Sequence, residues 1–141
     1  MKVRYLSYNE ILDLYREQMS IFGGLCAIRD NNALLSIVAN PRREFAGQEL
    51  YPDIAAKIAI IVFSIIKNHP FADGNKRTAY IAGRLFLRIN NFDLDCEHSQ
   101  FKNLVLNIAA SKATLEDVRE WFNVNLCRKG EKRIKAKKEN K

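Results

Sequence analysis

This chain lacks cysteines at disulfide or metal-ligand spacings, a signal-peptide pattern in its first residues, and long apolar runs. Each absence argues against a class of protein. The three cysteines, Cys26, Cys96 and Cys127, are odd in number and far apart, which argues against a disulfide scaffold and against zinc-ligand spacing. The first residues have no signal-peptide pattern, and no apolar run approaches the roughly 18 residues of a membrane-spanning helix. These absences predict a soluble, cytoplasmic protein with no membrane partner.

Most of the chain also lacks a strong net charge of either sign. The net charge is +7, but eight of the 23 basic residues and only two of the 16 acidic residues lie in residues 128–141, so +6 belongs to this tail and +1 to the rest. We predict one folded domain over residues 1–127 and a disordered or fraying basic tail over residues 128–141. Nucleic acid is expected to bind only through this tail.

Helix start and stop signals recur along the chain, whereas strand signals are scarce. The capping box at residues 7–10 opens a first helix, and Gly23-Gly24 ends it. A second helix is predicted from a cap at Asp30 or Asn31 to about Asn40, just before a proline. Two more are predicted over residues 99–110 and 115–126. Residues 42–52 lack helical periodicity and are expected to form a loop, with a small hairpin flap near 44–52.

Two further helices are predicted on either side of a short polar loop. Residues 53–67 leave almost no polar face, so a helix there belongs at the centre of the fold. The many β-branched residues would also suit a buried strand, but the length of the segment favours a helix. The next helix is predicted over residues 75–89. The expected fold class is therefore all-α, a helical bundle around one central apolar helix.

The loop between these helices has the composition of an anion site. A helix that begins at Asn75 directs backbone N–H groups and the positive end of its dipole towards the loop. Gly74 allows a phosphate to approach the backbone closely, because no side chain intervenes. Lys76 and Arg77 oppose the helix dipole, and an anionic ligand would turn this unfavourable placement into a favourable one. The pattern predicts phosphate binding at residues 74–77.

Two other side chains of the loop supply what phosphoryl or nucleotidyl transfer requires. Asp73 is a hard oxygen ligand suited to Mg²⁺, which takes only one or two protein carboxylates. His69 is the candidate general base, because an imidazole can accept a proton at cytosolic pH. Phe71 is expected to anchor the loop in the core. Each residue alone can be explained as a structural loop residue, and their combination indicates a catalytic site.

The segment His69-Pro70-Phe71-Ala72-Asp73-Gly74-Asn75-Lys76-Arg77 resembles the signature loop of the Fic/Doc superfamily. Lys76 followed by Arg77-Thr78-Ala79 resembles the Doc, or death-on-curing, branch, and similar stretches elsewhere extend the resemblance over about residues 5–126. It implies a Fic-type fold and a toxin of a toxin–antitoxin system. A self-inhibitory segment of the form Ser/Thr-x-x-x-Glu-Gly/Asn is absent from the sequence, so the resemblance implies restraint in trans by an antitoxin protein.

The resemblance also implies roles for individual residues. His69 would be the base, Asp73 would hold Mg²⁺, and Asn75, Lys76 and Arg77 would bind the phosphates of ATP. The residues that match the flap aligning the target chain are Glu49, Leu50 and Tyr51, although a loop that simply packs is an alternative.

Three functions remain open from sequence. Most Fic enzymes have Gly at the position of Lys76 and a second Arg at the position of Tyr80, and they transfer AMP. In the Doc branch the change at Lys76 goes with transfer of the γ-phosphate of ATP to a threonine of elongation factor Tu, which inhibits translation. The resemblance therefore favours a protein kinase of Doc type. The alternatives are an AMP or other nucleotide transferase, and a non-catalytic module that binds nucleic acid or a partner through residues 128–141.

Overall fold

The computed structural model describes residues 2–131, and six helices make up most of this part of the chain. The helices are α1 (Tyr8–Phe22), α2 (Asn31–Ala39), α3 (Ile54–Asn68), α4 (Asn75–Ile89), α5 (His98–Ala109) and α6 (Leu115–Asn125). A short 3₁₀ turn, Asn40–Arg42, follows α2. Two small antiparallel sheets pair β1 (Glu44–Phe45) with β2 (Gln48–Glu49), and β3 (Phe92–Leu94) with β4 (Leu126–Arg128). The predicted all-α class and the hairpin near 44–52 are confirmed.

Side-chain caps start four of the helices where the sequence predicted them or close by. The Ser7 hydroxyl accepts from the backbone N–H of Glu10, and the Glu10 carboxylate accepts from that of Ser7, which completes the capping box of α1. Asp30, rather than the residue after it, caps α2. Asp53 caps α3, and Thr114 caps α6. Each cap satisfies backbone N–H groups that lack a partner within the helix.

Helix α3 lies at the centre of the fold, as its apolar composition predicted. It packs against α2, α4, α5 and α6, and every residue from Ile54 to Val62 is buried. The contact with α4 is close at Gly83, where a Cβ would lie 2.9 Å from a methyl carbon of Val62 and 3.3 Å from the ring of Phe101. Like the other helices within residues 2–131, α3 is not long and apolar enough to cross a membrane.

The end of α6 differs from the sequence prediction. The helix ends at Asn125, and Leu126–Arg128 forms β4. This strand pairs antiparallel with β3, with Leu126 opposite Leu94. Three-residue strands are too short for alternation to appear in the sequence, and these partners lie far apart along the chain. Arg128, the first residue of the predicted tail, is therefore part of a strand. Residues 129–131 follow the strand in a turn, and the part of the predicted tail from residue 132 onward lies outside the described residues.

Candidate functional site

The loop between α3 and α4 is fastened from inside by the first residue of α4. The buried amide of Asn75 accepts a hydrogen bond from the Phe71 N–H at 3.1 Å and donates one to the Phe71 carbonyl at 2.9 Å. Phe71 is fully buried, as expected of an anchor, and its ring stacks on Tyr15 at a centroid distance of 3.7 Å. The side chain of Asn75 is thus engaged within the loop, and its backbone N–H is the group it can offer to a phosphate.

Tyr15 fixes the chain that runs alongside this loop. Its hydroxyl lies 2.8 Å from the backbone N–H of Ala27, which donates to it, and 3.1 Å from the carbonyl of Leu25. Burial raises the pKa of the Tyr15 hydroxyl above its usual value, and the hydrogen bond with Ala27 partly opposes this shift. Tyr15 therefore stays neutral at physiological pH and serves as a hydrogen-bonding support.

The N-terminus of α4 has the geometry of an anion site. Gly74 is the capping position, in the left-handed conformation with φ 76°, and in the described chain no side chain caps this helix. The first backbone bond of the helix runs from Thr78 N–H to the Gly74 carbonyl at 3.0 Å. The N–H groups of Asn75, Lys76 and Arg77 precede it and lack partners within the helix. They are directed towards the loop, where an anion would accept hydrogen bonds from them.

Two exposed cations adjoin these N–H groups. The guanidinium carbon of Arg77 lies 4.1 Å from the ring centroid of Phe22 on α1, a cation–π contact. Within residues 2–131 the ion pairs involve other basic residues, so neither Lys76 nor Arg77 is neutralised by a carboxylate. Two uncompensated cations at the positive end of a helix dipole are unfavourable until an anion joins them.

The carboxylate of Asp73 lies beside the same helix end. Its Oδ1 accepts from the Gly74 N–H at 2.8 Å, and its Oδ2 occupies space that a side chain on Gly24 would fill, since a Cβ there would lie 2.5 Å away. No cluster of three or more histidine, cysteine or acidic side chains occurs in the portion of the chain described. A single carboxylate fits Mg²⁺, which completes its shell with water and phosphate oxygens, and does not fit a structural zinc ion.

His69 ends α3 with its ring exposed and one ring nitrogen engaged. Its backbone is left-handed, with φ 47° and ψ 61°. The Nδ1 atom lies 3.3 Å from the Lys67 carbonyl oxygen. Because a carbonyl oxygen only accepts hydrogen bonds, this contact requires a proton on Nδ1, and in the neutral ring the free lone pair is then on Nε2. The structure thus presents Nε2 as the atom that can accept a proton.

A groove of about 680 Å³ runs across the N-terminus of α4, between α1 and α5. Residues 73–77 line it, together with residues that sequence reasoning did not identify: Gln18, Phe22, His98, Lys102, Val105 and Leu106. The α5 residues recur at helical spacing, which is the only sequence feature that could have grouped them. The hydroxyl of Tyr80 is hydrogen-bonded to the ring of His98. His69 is not among the residues that line this groove.

The hairpin flap is attached to the other end of α3. Glu49 forms an ion pair with Lys57, whose Nζ lies 2.9 Å from the carboxylate and 3.0 Å from the Pro41 carbonyl. Lys57 is buried, whereas Leu50 and the strands of the flap are exposed and Tyr51 is half-buried. A second cavity, of about 630 Å³, adjoins Glu49 and Lys57 and is not lined by residues 69–77. The ion pair described for Glu49 therefore ties the flap to the start of α3 rather than to the loop.

Comparisons with known proteins identify relatives over most of the chain. The model of the Fic/DOC family matches residues 5–87, which include α1 to α3, the loop and most of α4. The chain is 34% identical to the protein named "Toxin Doc" of Mycolicibacterium smegmatis over 99 residues, which cover 69% of this chain and 76% of the relative. It is 26% identical to "Protein kinase doc" of Escherichia phage P1 over 116 residues, or 82% and 90% of the two chains. The chain therefore belongs to the Fic/Doc family, and these relatives place it in the Doc branch.

Proposed function

We propose that this protein is the toxin of a toxin–antitoxin pair and transfers the γ-phosphate of ATP to a hydroxyl group of a target protein. The observation that carries this proposal is the uncapped, doubly cationic N-terminus of α4, which adjoins the Asp73 carboxylate and follows His69 by six residues. The names of the two relatives, a toxin and a protein kinase, support the same activity. By resemblance, the proposed target is a threonine of elongation factor Tu, whose modification would stop translation.

Phosphate binding in this proposal falls to the start of α4. The N–H groups of Asn75, Lys76 and Arg77 would donate hydrogen bonds to phosphate oxygens, and the side chains of Lys76 and Arg77 would add positive charge that no ion pair with a carboxylate neutralises within residues 2–131. Asp73 would hold Mg²⁺, which supplies charge neutralisation on the phosphate oxygens when bound. The residues of this chain thus position the γ-phosphate and withdraw charge from it.

Proton transfer falls to His69. Its Nε2 would accept the proton of the target hydroxyl as the hydroxyl oxygen forms a bond to the γ-phosphorus. The bond between that phosphorus and the oxygen bridging to the β-phosphate breaks, and ADP leaves with the electron pair. The protonated imidazole then returns its proton to solvent. Because the ring is exposed, a target chain can reach it without rearrangement of the core.

Replacement of His69 by alanine tests this role. We expect the rate of target modification to fall by about 10²–10⁴-fold, the range for loss of a general base. The melting temperature should stay within a few degrees of the wild type, because the ring is exposed and makes one long hydrogen bond. A correctly folded variant with full transfer rate would remove His69 from the mechanism.

AMP transfer is the competing reaction, and labelled ATP separates the two. Tyr80 occupies the position of the second arginine of AMP-transferring relatives, and its hydroxyl is bonded to His98, so it cannot clamp a phosphate. Label in the γ position should therefore appear on the target, and label in the α position should not. Appearance of the α label would replace the kinase assignment with nucleotide transfer.

Restraint by an antitoxin and the role of the tail complete the proposal. The groove between α1 and α5 exposes Phe22 and Leu106 beside Lys76, Arg77 and Lys102, a surface that suits an acidic amphipathic helix of an antitoxin.

The non-catalytic alternative is tested by truncation after residue 131, which leaves β4 intact. Unchanged target modification would show that the tail is accessory, whereas toxicity that disappears with the tail, without target modification by the full chain, would favour the binding-module alternative.

A further inference from the structure

Three consecutive carbonyl groups around His69 accept hydrogen bonds from one residue, Arg29. The guanidinium Nη2 donates to the Asn68 carbonyl at 2.8 Å, and Nε donates to the His69 carbonyl at 2.6 Å. The backbone N–H of Arg29 donates to the Pro70 carbonyl at 2.8 Å. We propose that Arg29 is a positioning residue for the reaction, which sets the backbone, and through it the ring, of His69. This inference rests on the proposed role of His69 as base.

The geometry explains why one residue can control the conformation of His69. The Asn68 carbonyl belongs to the peptide unit before the His69 Cα, and the His69 carbonyl belongs to the unit after it. Holding both peptide units relative to one rigid, planar guanidinium fixes the φ and ψ of the residue between them. His69 needs this restraint, because its left-handed backbone conformation is unfavourable for a non-glycine residue.

Arg29 is itself held against the loop by its neighbours. Ile28 forms an antiparallel bridge with Phe71, and the Ala72 N–H donates to the Ala27 carbonyl at 2.9 Å. The next residue, Asp30, caps α2. The segment from Ala27 to Asp30 is therefore a short strand-like support whose direction is fixed by α2 at one end and by Tyr15 at the other. Because this segment is held at both ends, the Arg29 guanidinium has a fixed position. Its hydrogen bonds therefore fix the carbonyl groups around His69.

A purely structural role as the C-cap of α3 is the competing explanation. A cation at the carboxyl end of a helix is favourable whichever basic side chain provides it. Positioning of His69 needs more, since only the planar fork donates two bonds in fixed directions to adjacent carbonyls. The variant R29K separates the two explanations, because lysine keeps the charge and loses the fork.

The test measures stability, turnover and the His69 ring in R29K, R29A and a matched control, R119A. Arg119 is half-buried and pairs with Asp53 at the opposite end of α3, so its loss removes a side-chain contact of an arginine away from the loop. We expect R29K to melt near the wild-type temperature and to lose about 10-fold in kcat. R29A should lose about 10–100-fold in kcat with the KM for ATP changed less than about 3-fold. R119A should retain wild-type turnover.

Two further readouts report on the inference independently of these rates. Millimolar guanidinium should restore part of the turnover of R29A and none of that of R29K, whose side chain occupies the site. Ring ¹⁵N shifts of His69 should show one tautomer in the wild type and averaging in R29A and R29K, with His98 as an internal reference. Ring shifts that stay as in the wild type, or a loss confined to the KM for ATP, would overturn the inference.

Failure of the proposed function is distinguishable from failure of this inference. Absence of phosphate transfer by the wild-type protein to any tested target would refute the activity, while the ring shifts of His69 in R29K would still show whether Arg29 sets its conformation. R29K also keeps the inference testable if R29A does not fold.

Discussion

Replacing Asn75 by aspartate should release the loop while leaving side-chain volume almost unchanged. The introduced carboxylate can still accept the hydrogen bond from the Phe71 N–H, but it cannot donate to the Phe71 carbonyl that lies 2.9 Å from the Asn75 Nδ2. A donor contact thus becomes a repulsive contact between two oxygens. Asn75 is buried, so water cannot easily substitute for the missing donor.

The expected loss is about 2 kcal/mol in the free energy of unfolding at pH 7. A buried carbonyl left without a donor costs roughly 1–3 kcal/mol. The negative charge is favourable at the start of α4 and beside Lys76 and Arg77, which recovers roughly 0.3–1 kcal/mol. The unfavourable contribution is the larger one. In a domain of this length such a loss lowers the melting temperature by about 5–10 °C.

The effect should depend on pH with a definite sign. Burial and the facing carbonyl disfavour the charged form, so the introduced carboxyl has a pKa above the ordinary aspartate value of about 3.9. Its protonated form regains a donor for the Phe71 carbonyl. The deficit relative to wild type is therefore full above the folded-state pKa and shrinks as the pH falls through it towards the unfolded-state value.

Urea unfolding followed by the fluorescence of Trp121, the one tryptophan of the chain, measures this deficit between pH 4.5 and pH 8. The control is N103D, at an exposed position of α5, which should change stability by less than about 0.5 kcal/mol at every pH. If N75D were as stable as wild type at pH 7, or if its deficit grew towards low pH, the role of the Asn75 amide as the clamp of the loop would be refuted.

Three other substitutions have defined outcomes. Y15F should cost roughly 1–2 kcal/mol in urea unfolding, because the Ala27 N–H loses its acceptor. Since the folded-state pKa of Tyr15 is raised, its contribution is complete below pH about 10 and lost as the pH rises through the folded-state pKa, a loss that Y15F should not show. K57M should cost roughly 1–3 kcal/mol and speed hydrogen exchange in residues 44–49, because Glu49 loses its anchor; unchanged exchange would contradict this. T78V should raise stability by about 1 kcal/mol, because the Thr78 hydroxyl is buried and has no hydrogen-bond partner in the described chain; a decrease would show that the hydroxyl is bonded.

Features that depend on neighbours in sequence were predictable. The capping residues Ser7, Asp53 and Thr114 act over three residues, so their effect can be read without knowledge of the fold. The same is true of the uncapped start of α4, where Gly74 precedes two cations. The central position of α3 could be predicted because apolar residues cover almost all sides of this helix.

Features that depend on distant pairs were not predictable. The phosphate role of Asn75 was predicted from its residue type and its position at the start of a helix. In the structure its side chain is hydrogen-bonded to Phe71, four residues earlier, in a turn whose shape the sequence does not specify. The pairing of β3 with β4 joins segments on either side of α5 and α6, and no local pattern records it. Arg29 lies 40 residues before His69, so its bonds to the loop could not be inferred from spacing.

The sequence by itself determined which chemical groups are available and where each helix begins, because caps, apolar periodicity and the nine-residue loop act within one or two helical turns. The tertiary structure decided how those groups face one another: that Asn75 clamps the loop, that Arg29 holds the carbonyls around His69, and that Glu49 is tied to Lys57 at the far end of α3. The physical reason is that hydrogen bonds and ion pairs need atoms within about 3–4 Å, and only packing brings residues distant in sequence to that separation.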